Sequence, residues 1–170
     1  MNIMISEEQN KAYLKKKLDN HFDIWEEQNG KHIMGNNVRI DLIIRPKEYE
    51  KWRNGKDTFL GIEIKPNYDS FYERTSMLLQ CIDYRHTKFY FKNGSRSIPI
   101  FMYPSPLTSE KIDDYFMKRF LGKMNIGIIE YVDYRECLEF TLSDSPIFDT
   151  KKGARISASK HKMETTFGRQ

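Results

Sequence analysis

Only two cysteines, Cys81 and Cys137, and four histidines occur in 170 residues. Two thiols cannot build a four-thiolate zinc or iron–sulfur site. They read as buried free thiols in a reducing compartment, with a pairing between them left open. His21, His32, His86 and His161 stand at no metal-ligand spacing from one another. His32 reads as a loop residue and His86 as lying near a helix end, both solvated. No run approaches the ~20 apolar residues needed to span a bilayer. The opening MNIMISEEQN has neither the basic nor the apolar region of a signal peptide. A cytoplasmic protein with no membrane partner is therefore expected. Glycine loops that cradle phosphate and serine-nucleophile motifs are also missing, as is any internal repeat.

Net positive charge is confined to one end. The net charge is +4. Residues 151–170 carry six Lys/Arg and one acid, Glu164, which is +5. Removing that +5 from +4 leaves residues 1–150 at −1, so the body is not a uniformly basic nucleic-acid surface. The last 20 residues are also poor in apolar groups and read as a disordered tail. Residues 1–150 are long enough for one domain with one core. Aromatics make up 14% of the chain, so a modest core can bury much area.

Residues 6–20 read as a helix. Ser6 and Gln9 form a capping-box pair, Glu7 and Glu8 sit at the positive end of the helix dipole, and Glu7, Leu14 and Leu18 share a face. A strand is expected over 22–27, then a Gly/Asn-rich turn. Residues 38–44 (VRIDLII) and 59–65 (FLGIEIK) are strong strands, and Pro66 ends the second. Residues 70–85 read as a helix capped by Ser70 and Glu73. Strands over 88–91 and 98–102 flank a polar turn. A third helix runs over 109–121, with Ile112, Phe116 and Phe120 on one face and Gly122 as its stop. Residues 126–132 and 138–142 close the domain as a hairpin or two further strands. The order points to an α/β or mixed α+β domain with one central sheet.

Strand side chains alternate between faces. In 38–44, Val38, Ile40, Leu42 and Ile44 point one way and Asp41 the other. In 59–65, Leu60, Ile62 and Ile64 point one way and Glu63 and Lys65 the other. Two residues along a strand span about 7 Å, so Glu63 and Lys65 emerge side by side. If the strands are neighbours, Asp41 joins them. Any one of these charges alone reads as the solvated face of a half-covered sheet. Together, inside apolar strands, two acids and a lysine suggest chemistry. Buried acids are costly unless paired or ligating a metal. Two close carboxylates suit a hard cation such as Mg²⁺, and a lysine beside them can hold a water or a phosphate as a point charge.

R-I-D-L at 39–42 followed by G-I-E-I-K at 61–65 resembles the D…ExK signature of the PD-(D/E)XK nuclease superfamily. The resemblance covers about residues 6–103. It implies a restriction-endonuclease-like core: a central mixed sheet flanked by helices, in the order α-β-β-β-α-β. It implies that Asp41 and Glu63 bind Mg²⁺ or Mn²⁺, that the carbonyl of Ile64 is a backbone metal ligand, and that Lys65 is the catalytic lysine. Ile40 stands where the motif has proline. Gln80 and Tyr84 form Q-x-x-x-Y on the following helix, similar to the motif of RecB-type exonucleases. As i and i+4 neighbours they would bind substrate backbone or order Lys65, with Phe71, Leu78 and Ile82 packing on the sheet. The equal alternative is that Tyr84 packs and Gln80 is exposed. The iron–sulfur cysteines of some RecB-type relatives are absent. In several branches a first-helix acid reaches the metal. Here Glu7 is the candidate, against the equally good reading that it only favours the helix dipole.

The function expected from the resemblance is a metal-dependent deoxyribonuclease, exonuclease-like or structure-specific. A junction-type resolvase or RNA endonuclease is the first alternative. A non-catalytic nucleic-acid-binding protein on a nuclease fold is the second. The partner expected is nucleic acid, DNA before RNA. The size also suits a homodimer, a subunit of a larger complex, or a phage or mobile-element enzyme. Trp25, Tyr49 and Trp52 are candidates for base stacking, with packing as the more common fate.

Overall fold

The computed structural model describes residues 5–48, 58–66, 71–105, 112–143 and 145–154, with side chains left out at 71 and 112–117. All described strands belong to one mixed sheet. The first helix, α1 (Glu7–Leu18), starts on the expected capping box: Gln9 N–H donates to Ser6 Oγ and Ser6 N–H to Gln9 Oε1. β1 (Phe22–His32), β2 (Asn37–Pro46) and β3 (Leu60–Ile64) follow as an antiparallel meander. Helix α2 (Phe71–Arg85) leads to the hairpin β4 (Thr87–Phe91) and β5 (Gly94–Arg96), which adds to the outer edge of β1. The chain then returns to the centre as β6 (Ile100–Tyr103), parallel to β3. Helix α3 (Ile112–Lys123) crosses to β7 (Ile126–Val132), parallel to β6. A second meander, β8 (Cys137–Leu142), β9 (Ser145–Asp149) and β10 (Gly153–Ala154), closes the other edge. The sheet order is β10-β9-β8-β7-β6-β3-β2-β1-β4-β5.

Two apolar layers sandwich this sheet. One gathers Leu14 and Leu18 of α1 with Leu42, Ile44, Leu60, Ile62, Ile64 and the rings of Phe101 and Phe140. The other gathers Met77, Cys81 and Tyr84 of α2 and Leu121 of α3 with Ile40, Ile43, Ile100 and Ile128. Every residue of β3 and of β6 is buried. That is the pattern of strands covered on both faces, and it explains the nearly continuous apolar runs. Close packing at the centre demands a glycine. A Cβ on Gly61 would lie 2.7 Å from Cδ1 of Ile40 and 2.9 Å from Cδ1 of Ile100.

Several local expectations change. β1 continues through the Gly/Asn-rich residues expected as a turn, because Gly30 pairs with both Val38 and Phe89. On β2 the expected alternation breaks. Leu42 and Ile44 face α1, while Ile40 and Val38 pack with Ile43 in the α2 layer. The break coincides with Glu27 on β1, whose φ is 52°. The ladder pairs Glu26 with Leu42 and Gln28 with Ile40 but skips Glu27 and Asp41. Helix α3 runs through Gly122 and buries Leu121, whereas Phe120 is exposed. The chain reverses instead at Asn125, with φ 61°. The sheet also runs past the expected boundary at 150: a turn at Lys151 and Lys152 leads into β10. The remainder of the expected tail, the Ser70 cap and Tyr49 and Trp52 lie outside the described residues. Cys81 and Cys137 are free and buried, and no described helix is long and apolar enough to cross a membrane.

Candidate active site

The β2–β3 register pairs Ile44 with Leu60, Ile43 with Gly61 and Leu42 with Ile62. Continued one step, that register would set Asp41 opposite Glu63, but the ladder ends at Leu42 and Ile62. Like charges directly opposed across a ladder repel. Here the ladder gives way: Asp41 Oδ2 accepts the backbone N–H of Ile64 at 2.7 Å. The carboxylate has left the alternation of its own strand to take a main-chain donor of the next one. That accounts for the change of face between Ile40 and Leu42.

Glu63 faces α2 and is 1% exposed. Its Oε1 accepts from Lys65 Nζ at 2.6 Å. Its Oε2 is buried with no hydrogen-bond partner. The Tyr84 hydroxyl is within hydrogen-bonding reach of the Glu63 carboxylate, but its one proton is directed to the carbonyl of Arg39 at 2.8 Å and leaves Oε2 undonated. Burial first, and the charge of Asp41 second, raise the Glu63 pKa to about 7; Lys65 and Tyr84 pull the other way. Burial draws Lys65 downward, but the hydrogen bond and charge of Glu63, with the charges of Glu7 and Asp41, outweigh it and raise its pKa. Lys65 is thus held as an ammonium, against a carboxylate that is half protonated near neutrality. The buried Cys81 thiol is pushed well up, by desolvation and then by Glu63, and stays neutral.

The structure brings Asp41, Glu63 and Lys65 together and gives the other expected residues different places. Glu7 is half-buried and its charge reaches Lys65. It does not complete a three-acid cluster: among the described residues, no group of three or more His, Cys, Asp or Glu is arranged to hold a metal. Tyr84 is 3% exposed and packs in the α2 layer, so its ring faces the sheet and not a substrate groove. Gln80 Nε2 donates to the Tyr84 hydroxyl at 2.7 Å. Tyr84 therefore belongs to the inner face of α2, Gln80 stands half-buried beside it, and Leu78 and Ile82 pack, partly buried, against the same layer. The chain of bonds from Gln80 through Tyr84 ends on the Arg39 carbonyl, two residues before Asp41, and so fixes the strand that carries the acid.

Three neighbours were not legible as site residues. Asn10, buried in α1, donates from Nδ2 to the carbonyl of Lys65 at 2.8 Å and ties the end of β3 to α1. An amide in mid-helix, on the face of Glu7 and Leu14, was the available signal. Lys11, also buried, bonds Glu27, which is paired with Arg39 Nε at 2.8 Å as well. The Lys11 hydrogen bond holds Glu27 below the ordinary carboxylate range. Burial pulls Lys11 down, but Glu27, and then Asp41 and Glu8, raise it. A second cation therefore stands by Asp41.

No protein-family model, curated protein or solved structure matches the chain.

Proposed function

We propose that this protein is a Mg²⁺- or Mn²⁺-dependent nuclease that hydrolyses phosphodiester bonds in DNA, with Asp41 and Glu63 as metal ligands and Lys65 as the catalytic lysine. One observation carries the reading. Two carboxylates that feel each other's charge lie on adjacent central strands, and the buried one has an oxygen without a partner and a lysine at its side. An orphaned buried oxygen costs free energy unless something absent from the bare chain satisfies it. The donor set fits a hard cation, for which one or two carboxylates suffice alongside waters and substrate oxygens. The Ile64 carbonyl, which follows Glu63 in sequence, would be the backbone ligand. A bound Mg²⁺ or Mn²⁺ would stabilise phosphoryl charge and make water a better nucleophile.

The chain's own part is positioning. The Ile64 amide orients Asp41, Asn10 anchors the backbone of Lys65, and Tyr84 with Gln80 holds the start of β2. Lys65 bonds Glu63 Oε1 now, and from there it can give one N–H to a water or to a phosphate oxygen. The topology supports a restriction-endonuclease-like core: an antiparallel β1–β3 meander, then α2, then β6 parallel to β3, with α1 on the opposite face. The β4–β5 hairpin is an insertion within that order.

The test is a panel of linear duplex, single-stranded, nicked and branched DNA and RNA, each with Mg²⁺, Mn²⁺ or chelator. Cleavage of DNA that requires metal and is lost in Glu63→Gln is expected. Cleavage confined to RNA or to symmetric junctions would move the assignment to those substrates. Divalent-metal calorimetry that detects no binding, with nucleic acid present, would falsify the nuclease reading.

A further inference from the structure

At the other end of the same strands lies a concavity of about 590 Å³, between β1, β2, the start of β3 and the β4–β5 hairpin. Its size falls in the range of roughly 300–1,000 Å³ typical of small-ligand sites. Trp25, Phe59 and Phe91 supply rings, Arg45, Lys92 and Arg96 supply positive charge, and none of the described lining residues is acidic.

The rings are held by one another and by the cations. Phe59 stands 4.3 Å from Phe91 and 5.8 Å from Trp25, centroid to centroid. The Arg96 guanidinium lies 5.1 Å from the Phe59 ring and 5.3 Å from the Phe91 ring, and Arg45 lies 5.6 Å from Trp25. A guanidinium stacked on a ring keeps its N–H groups free to meet an anion. Arg45 is committed to Asp23 through Nε and Nη2. Lys92 and Arg96 meet no carboxylate among the described residues. Trp25 is 37% exposed, so its ring offers surface to a ligand.

We propose that this concavity is a second nucleic-acid site, which takes an unpaired nucleotide by stacking its base on the Trp25 ring and pairing its phosphate with Lys92 and Arg96. The combination selects the ligand. A phosphate alone needs no rings, and an aliphatic chain needs no cations. A planar base joined to an anion uses both. A base within a duplex has its faces covered by neighbours and cannot reach the rings, so the site prefers a single strand or an extruded base. Phe59 precedes Glu63 by four residues on one strand, about 13 Å. Where the site serves the nuclease, an inference that rests on that reading, it would grip a strand a short distance from the bond cut. The binding itself needs neither metal nor cleavage.

The experiment is fluorescence anisotropy in chelator with labelled 12-mers: oligo-dT, oligo-U and a self-complementary duplex, each at several salt concentrations. Lys92→Gln alters an exposed side chain and Trp25→Leu a half-exposed one, and thermal unfolding verifies that both variants keep the fold. Each should weaken oligo-dT binding by ~10-fold, with duplex binding changed by less than ~2-fold, and Lys92→Gln should flatten the salt dependence by about one unit of log–log slope. Equal weakening of oligo-U identifies the site as indifferent to the sugar and supports the proposal. Unchanged oligo-dT affinity in both variants, or equal losses for strand and duplex, overturns it. The outcome is independent of the cleavage panel: a protein that cuts DNA yet shows no variant effect loses this site alone, and one that cuts nothing yet shows the effect keeps it.

Discussion

Among the described residues the sheet sets acids near acids at more than one place, and two of these places are built differently. On β8 and β9, Glu139 pairs with Asp149. Asp149 is 1% exposed, and its Oδ1 accepts the backbone N–H groups of Lys151 at 3.0 Å and Lys152 at 2.6 Å. Glu139 is bonded by Arg135 at 2.6 Å. Each acid there has its own donors, so the pair closes a turn and an edge and leaves nothing for a ligand. On β2 and β3, Asp41 has one donor, Glu63 shares Lys65, and one buried oxygen of Glu63 has none. Two acids near each other in a sheet thus do not by themselves mark a site. The donors around them do, because a satisfied carboxylate is structure and an unsatisfied one is stored free energy that a cation can release.

The largest expected effect tests that contrast through activity. Asp41→Asn, Glu63→Gln and Lys65→Met should each lower metal-dependent cleavage by roughly 100-fold or more, while Glu139→Gln leaves it unchanged. Lys65→Met should keep its metal affinity by calorimetry, since the lysine is no ligand in this scheme. Equal losses at Glu139 would dissolve the distinction between the pairs.

The next effect is on stability against pH, in chelator. Glu63 titrates near 7 in the fold against an ordinary 4.5. A carboxyl whose folded pKa is raised contributes stability when protonated. That contribution is complete below about pH 4.5 and is lost as pH rises through 7, a change on the order of 3 kcal/mol. Denaturant unfolding at pH 5 and pH 8 measures it, and Glu63→Gln should remove most of the difference. A slope identical in wild type and variant would mean that Glu63 is not the group responsible.

The two pairs should also differ in sign. At pH 8 without metal, Glu63→Gln should raise the melting temperature, because it removes a desolvated charge opposed by Asp41. Asp149→Ala should lower stability by about 1–3 kcal/mol, since two backbone donors lose their acceptor. Gly61→Ala should cost about 1–3 kcal/mol, because its methyl would overlap Ile40 and Ile100 in a packed layer. The smallest effect is expected from Tyr84→Phe, about 1 kcal/mol from the lost bond to the Arg39 carbonyl. A Tyr84→Phe protein of full stability but low activity would restore that hydroxyl to the substrate.

The local code of this chain was readable where one short-range rule decided the outcome. The Ser6–Gln9 cap, the apolar runs of β2 and β3 and the acids they enclose follow from side-chain chemistry within a few residues. So does the candidate site itself, because Asp41, Glu63 and Lys65 contradict the strands that hold them. Contacts distant in sequence decided the rest. Gly30 reads as a turn residue alone, but two neighbouring strands claim it for β1. Leu78 and Ile82 pack against the sheet layer as their spacing suggests, but only partly buried, and the buried positions of α2 are Met77, Cys81 and Tyr84. The turn of Asp41 toward the Ile64 amide depends on a kink at Glu27, fourteen residues earlier, and on a partner 23 residues later. Sequence names the groups that can do chemistry; which oxygen of Glu63 is left without a donor depends on three strands and a helix closing around it, and only tertiary packing decides that.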